Sequence, residues 1–530
     1  MSPVAVNDIS ALEEPIVAAT GTGGRLARAR MAQFWSIDLA FAAFVLAMAL
    51  ARYFPLKNRH APTGVDWANM LMVGHAYLGH SVGAGGIDYP PLVPLMVVGA
   101  TAVMAPTTAF AVLASIGSVL PALGGYLALR PLRRPLRTAL GMSLLLLASS
   151  TQEQSSWGGF PELFAFGCLP PMLTSAALCV ERPTRLRGSA FGISLFLLAA
   201  TSHLVLMEGA TALLVYLLTD PLFSSVNTWS RLRKPAPVLL LALIPTALLS
   251  PIYVKLVSTL QLGQATSHSE VLSLGAKFSY IFREGPALWA VCLIISSLLP
   301  LVAWSQRRTS RAPYFQAGVS LVGATALLAV FLSNTRFFYL VPLAASIGLA
   351  LVLGAIPIDN RTSLTTVAVG VALPLLAVNL VLEGQRSLDL YPQQVRYYGR
   401  LSLSAADLRG VEWLKGHTAP RSLIAATSTV QNSPIGWWVE GLAERHALVQ
   451  SDPQLLYFAS QIRAAAEADS IFVDFPSIGS IKQAHRLGVT YLMIARAWPG
   501  YQSKNVEEFV QAHAKLVVFS NIDMLILKVP

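Results

Sequence analysis

Charge is what this 530-residue sequence has least of. Asp, Glu, Lys and Arg make up 12% of it, against 54% hydrophobic residues. A soluble domain carries about a quarter charged residues, so the deficit excludes that class and leaves a polytopic membrane protein. Cysteine is nearly missing: Cys168, Cys179 and Cys292 all fall in apolar runs. That excludes a disulfide framework and a thiolate zinc site. No P-loop and no G-x-G-x-x-G run is present, so nothing supports a nucleotide-driven cytoplasmic mechanism. There is no internal repeat and no low-complexity tract. The net charge of +11 points to basic cytoplasmic loops rather than to a nucleic-acid partner.

What is abundant is apolar sequence. Runs lie near 33–54, 91–105, 107–129, 138–150, 162–180, 188–203, 205–219, 236–258, 286–304, 314–333, 337–355 and 363–382. Residues 1–31 read as a disordered cytoplasmic tail, and Arg25, Arg28 and Arg30 ahead of the first run mark a start-transfer helix, not a cleaved signal. The basic clusters Arg130–Arg137, Arg182–Arg187, Arg231–Lys234 and Arg307–Arg311 should be cytoplasmic. Loops at 55–90, 151–161 and 259–285 should then face outward. Parity allows only one of the runs 91–105 and 107–129 to cross. The first is short and opens with Pro90, Pro91 and Pro94, so it is read as an interfacial or re-entrant piece. The expectation is a polytopic α-helical protein of about eleven transmembrane helices, with about twelve or thirteen as the upper count. After Leu382 charges return and helical and strand patterns alternate. Residues 384–530 read as an extracytoplasmic α/β domain, with strands at Leu423–Thr427, Thr490–Ala495, Lys515–Phe519 and Met524–Val529.

The chain is organised around Gly64–Pro94, whose acids Asp66 and Asp88 lie between apolar runs, where carboxylates are costly enough to need a reason. Asp66 opens a helical pattern that is apolar on more than one side, read here as a helix lying on the outer surface with Trp67 and Tyr77 at headgroup level. An outward carboxylate can serve as general base towards an acceptor hydroxyl; a plain helix cap is the other reading of Asp66. Asp88 and Tyr89 precede a Pro-Pro breaker. Glu153 and Glu162 bracket the second outer loop, and His203 and Glu208 lie at the outer edge of a span. Lys277, Arg283 and Arg336 are outer-layer cations able to hold a phosphate. Trp437 and Trp438 are either a sugar-stacking pair or core residues.

Two stretches resemble known families. Gly64-Val65-Asp66, followed by G-G-I-D-Y-P-P-L (Gly85–Leu92), is similar to the GT-C glycosyltransferases. The wording is nearest to the glucosyltransferases of N-glycan assembly that use a lipid-phosphate glucose. That resemblance implies an inverting transferase with a polyprenyl-phosphate-linked sugar donor, Asp66 as the catalytic acid of the first outer loop, and Asp88 as a substrate ligand. E-W-L-K-G-H-T-A-P (Glu412–Pro420) with G-W-W-V-E-G (Gly436–Gly441) resembles the catalytic subunit of oligosaccharyltransferases, and Thr266–Glu270 resembles a loop motif of that family ending in Glu270. Val439 and Glu440 stand where that family has Asp and Tyr, which puts peptide recognition in doubt.

The leading expectation is therefore an integral membrane glycosyltransferase working on the extracytoplasmic side, in a bacterial inner membrane, on a glycan, lipid or protein acceptor. No cofactor is expected for a monophosphate donor. A pyrophosphate donor, as in the oligosaccharyltransferase-like alternative, would call for Mg or Mn held by Asp66 and Glu153. The third expectation is a non-catalytic scaffold or transporter, against which stands the lack of paired repeats. The topology has a direct check. An alkaline-phosphatase fusion after residue 384 should be active and one after residue 134 inactive; the reverse pattern would contradict the assignment.

Overall fold

The computed structural model describes residues 22–64, 66–80, 89–223, 228–254, 286–331, 335–355, 381–382, 384–399, 402–427, 435–449, 459–498, 500–501 and 504–530. Within these the chain is mostly helical. Six helices are long and apolar enough to cross a membrane: Trp35–Lys57 within α1 (Thr22–Lys57), Pro106–Leu132 around α4 (Pro106–Leu129), α7 (Phe160–Glu181), α9 (His203–Phe223), Ala312–Ala329 and Phe337–Ala355. Four apolar helical stretches are shorter: Leu92–Val103 (α3), Pro135–Leu147 (α5), Ala236–Ala247 and Cys292–Gln306. The run expected near 363–382 lies outside the described residues except for its last two. Proline sets several starts, standing at the first or second position of α4, α5 and α7, where its missing N–H costs nothing. At twelve residues, α3 spans roughly 18 Å, short of the ~30 Å hydrocarbon core.

The C-terminal part carries a five-stranded sheet in the order β2-β1-β3-β5-β4. Its strands are β1 (Leu423–Ala426), β2 (His446–Ala447), β3 (Tyr491–Ala495), β4 (Val517–Ser520) and β5 (Met524–Lys528). β1 pairs parallel with β2 and β3, and β5 pairs antiparallel with β3 and β4. The β4–β5 turn is closed by Asn521, whose Oδ1 accepts from the backbone N–H of Asp523 at 3.0 Å and Met524 at 2.8 Å. Such self-directed bonds are what make Asn a turn residue. Ser404 opens the helix Ala405–His417 through a capping box with Asp407. At the other end of that helix, buried Arg445 donates to the carbonyls of Lys415 at 2.6 Å and Thr418 at 2.7 Å. It satisfies acceptors that a helix end leaves open.

Helix α2 (Asp66–Tyr77) joins the two parts. Every residue from Asp66 to Gly74 is buried. It packs on α3 along one side and on the helix Ile435–Gly441 along another. Both approaches are close because glycine lies in each. A Cβ on Gly74 would come 2.4 Å from the carbonyl oxygen of Pro94, and one on Gly441 2.7 Å from that of Ala68. The result is one continuous apolar core containing Trp67, Phe110, Phe160, Trp438, Met493 and Ile526.

This corrects two expectations. α2 does not lie on the outer surface, and Trp67 is not a headgroup anchor. Its ring is fully buried, edge-on to Phe110 at 5.5 Å and to Phe160 at 6.0 Å. The cause is the C-terminal part, which covers the side of α2 that a membrane-only view leaves to water. Gly441→Val should therefore lower stability by ~1–3 kcal/mol through overpacking. Gly416→Ala, with open space around it, should be neutral or slightly stabilising in thermal unfolding of the detergent-solubilised protein.

Candidate functional site

Asp66 is the first residue of α2, set by the turn before it. Gly64 has φ +75°, and a Cβ there would lie 2.0 Å from the carbonyl oxygen of Trp157. Glycine is thus required twice, by conformation and by space. The Thr63 hydroxyl donates to the Ser156 carbonyl, the Gly64 N–H donates to the Tyr398 carbonyl at 3.2 Å, and the Ser402 hydroxyl donates to the Pro62 carbonyl. Gly158, with φ +101°, ends the neighbouring helix beside Asp66 and Trp67. The loop carrying Asp66 is clamped from both sides.

The segment 151–161, expected as an outer loop, is mostly the helix α6 (Ser149–Trp157) and a tight turn, with Thr151, Gln152, Gln154, Ser155 and Ser156 buried. A second polar surface makes this possible. Helix 384–399 supplies Ser387 to accept from Gln152, Tyr391 to accept from Ser155 at 3.3 Å, and Tyr398 to donate to Glu153 Oε1 at 2.6 Å. Burial pushes the Tyr391 phenol up to about 12, although the Ser155 hydroxyl and the nearby Arg52 cation oppose it; it stays protonated. Buried polar groups persist when they pair in this way.

Among the described residues, three of the expected site residues meet in sequence. Tyr89 directs its hydroxyl to Asp66 Oδ2 at 3.5 Å, and its ring lies 6.4 Å from that of His203. The Tyr77 hydroxyl fixes the Tyr89 backbone by donating to its carbonyl at 2.8 Å. The 3.5 Å contact is long for a hydrogen bond. Glu162 lies in the first turn of α7, where a carboxylate suits the helix dipole. Glu208 is buried one turn into α9, an electrostatic interaction couples it to Glu162, and its Oε2 has no hydrogen-bond partner among the described residues. His203 and Glu208 share α9.

Other candidates fall elsewhere. Glu153 is held by Tyr398, and no cluster of three ligands among the described residues joins it to Asp66. Trp437 and Trp438 are 4% and 1% exposed, inside the shared core, so neither ring has a face to offer a sugar; they take the core role common for Trp. Glu440 is also buried, accepting from the Ala447 N–H at 3.1 Å. Arg336 lies on the short turn Thr335–Tyr339 ahead of the helix Leu340–Ala355. Asp88, Glu270, Lys277 and Arg283 lie outside the described residues.

One buried cation had no signal in the sequence beyond its presence in an apolar run. Arg52, 1% exposed, donates to the carbonyls of Ser118 at 2.8 Å and of Leu146. The second of these is an open acceptor at the end of α5, so Arg52 ties α1, α4 and α5 together just beneath α6.

The whole arrangement, apolar helices below and an α/β part above with an acid-bearing helix between them, is a fold shared with solved structures of membrane proteins. The chain is similar in structure to ArnT from Cupriavidus metallidurans in the apo state, at 13% identity and a TM-score of 0.53, over 92% of this chain and 98% of that one. It is equally similar to ArnT bound to undecaprenyl phosphate, at 14% identity, a TM-score of 0.52, and 92% and 97% coverage. The arabinofuranosyltransferase AftD from Mycobacteria matches at 14% identity and a TM-score of 0.54, over 93% of this chain and 40% of that one. No protein-family model and no curated protein matches the sequence. The clamp on Asp66 makes a prediction of its own. Gly64→Ala should cost ~1–3 kcal/mol in thermal unfolding, since strain and overpacking act together, whereas Tyr89→Phe should leave stability within ~0.5 kcal/mol.

Proposed function

We propose that this protein is an integral membrane glycosyltransferase that moves a sugar from a polyprenyl-phosphate donor to an acceptor hydroxyl at the extracytoplasmic face of a bacterial inner membrane. One observation carries the reading: Asp66 is a buried carboxylate fixed at the layer between the apolar helices and the sheet, with the Tyr89 hydroxyl beside it. The shared fold adds support, since one neighbour of that fold was captured with undecaprenyl phosphate.

In the proposed reaction Asp66 takes the proton of the acceptor hydroxyl. The acceptor oxygen bonds to the anomeric carbon from the side opposite the phosphate. The carbon–oxygen bond to the lipid phosphate breaks, and the lipid phosphate leaves with both electrons. The anomeric configuration inverts. Tyr89 and His203 line the acceptor side, with Asp88 as a further acceptor ligand. Arg336, with Lys277 and Arg283, would hold the departing phosphate, where fixed cations stabilise developing charge. A monophosphate leaving group needs no metal to offset a second phosphate. The oligosaccharyltransferase-like alternative loses support from the core position of Trp437 and Trp438.

The test is transfer of radiolabelled sugar in membranes enriched in this chain, from a panel of polyprenyl-phosphate sugars, with and without EDTA. Asp66→Asn should reduce transfer by at least ~100-fold, the low end of what a positioned base supplies, and EDTA should leave it unchanged. Full turnover in the Asp66→Asn variant would sink the assignment of the base. Loss of transfer with EDTA would favour a pyrophosphate donor. No transfer from any donor by correctly inserted protein would favour the scaffold reading.

A further inference from the structure

A second constellation lies at the opposite end of α2 from Asp66. His75 occupies the last turn of the helix, and its Nδ1 is buried with no hydrogen-bond partner among the described residues. The chain then reverses. Gly79 has φ +90°, and the His80 N–H donates to the His75 carbonyl at 3.0 Å. Glycine allows that left-handed turn, and the reversal sets the two imidazoles 5.3 Å apart, edge to face. The third member comes from the other part of the protein. Glu444, itself at φ +56°, sits in the turn between the helix Ile435–Gly441 and β2. One ligand atom from each of His75, His80 and Glu444 lies within 4.8 Å of the other two.

We propose that His75, His80 and Glu444 bind a divalent transition-metal ion of the zinc type, which staples the end of α2 to the C-terminal part. Two imidazole nitrogens and one carboxylate oxygen, with water in the fourth position, are a common donor set for such an ion. Bonds of about 2.0–2.2 Å to a tetrahedral centre require ligand atoms about 3.3–3.6 Å apart. A shift of roughly 1 Å closes the gap, and His80 is exposed and able to make it. The buried His75 Nδ1, without a hydrogen-bond partner among the described residues, gives up no hydrogen bond on binding an ion.

One group opposes the ion. Lys415 Nζ lies 2.6 Å from Glu444 Oε1, and half of its side chain is exposed. A cation there must swing into solvent or share the carboxylate through its other oxygen when the metal binds. The nine-residue step from Asp66 to His75 places this centre ~13 Å from the proposed base along the helix axis. It is therefore a structural centre, independent of the proposed transfer reaction and separate from any metal at Asp66 and Glu153. Its consequence is mechanical: it fixes the C-terminal part over the helix that carries Asp66.

The experiment uses the full chain without a polyhistidine tag, purified in detergent and stripped with EDTA. Co²⁺ is titrated in as an optical probe and Zn²⁺ as the competing ion. The expected result is one equivalent of Co²⁺ with the visible absorption of a tetrahedral site, displaced by Zn²⁺, and a rise in unfolding temperature on adding Zn²⁺. His80→Ala and Glu444→Ala should each weaken binding by about 100-fold, as loss of an inner ligand costs at least as much as loss of its supporting partner. Both should also remove the thermal shift. Lys415→Met should tighten binding, a result that damage to the fold would not produce. His485→Ala, remote from the centre, should change nothing. Absence of stoichiometric binding in the wild type, or binding unaltered by His80→Ala and Glu444→Ala, would overturn the proposal.

Discussion

Burial of one twelve-residue helix is the constraint on which the rest of this structure depends. α2 is enclosed from Asp66 to Gly74, between α3 on one side and the helix Ile435–Gly441 on the other. Its apolar side chains are shared by two parts that would otherwise be separate, a helical body and a sheet. Fully burying a side chain the size of Met or Leu contributes ~1.5–3 kcal/mol, and Met70, Leu71, Met72 and Val73 are all buried here. The junction therefore rests on packing. Gly74 and Gly441 set how near the backbones come, and that closeness holds Asp66 at the level where the two parts meet.

Much of the architecture was legible. The long apolar runs and the α3 fragment follow from hydropathy and proline placement, and the strands from short apolar runs such as Met524–Val529, with turn chemistry at Asn521 before the last. What was missed was missed for definite physical reasons. α2 read as a surface helix because it sits in a loop between spans, yet its lack of a single polar face was the mark of burial from several directions. α6 read as an outer loop because 151–161 lies between spans and carries no Lys or Arg. Its burial depends on Ser387, Tyr391 and Tyr398, more than two hundred residues later in the chain. Arg52 had no local partner to reveal it: among the described residues its hydrogen bonds go to carbonyls of α4 and α5.

The site was legible in part. Tyr89 lies beside Asp66, and its ring lies 6.4 Å from that of His203; the sequence offered each of them singly and did not join them. Gly64, which no chemical argument singled out, proves as demanding as Asp66, because its left-handed turn and lack of Cβ aim the acid. The tryptophan pair shows the reverse case. Adjacent aromatics in a small domain are more often core than a sugar platform, and the packing against α2 places this pair in the core. His75, His80 and Glu444 could not be joined from sequence at all, since more than 360 residues separate the last from the first two and their spacing fits no local ligand pattern.

The central claim is that sugar transfer takes place in the layer set by α2. Cryo-electron microscopy of the chain with a bound polyprenyl phosphate tests it most directly. The account predicts phosphate density at the level of α2, bound by Arg336, Lys277 or Arg283 and separated from Asp66 by room for the donor sugar, with the lipid tail descending along the apolar helices. Phosphate density lodged instead among Arg133, Arg182 and Arg311, at the opposite end of those helices, would contradict it.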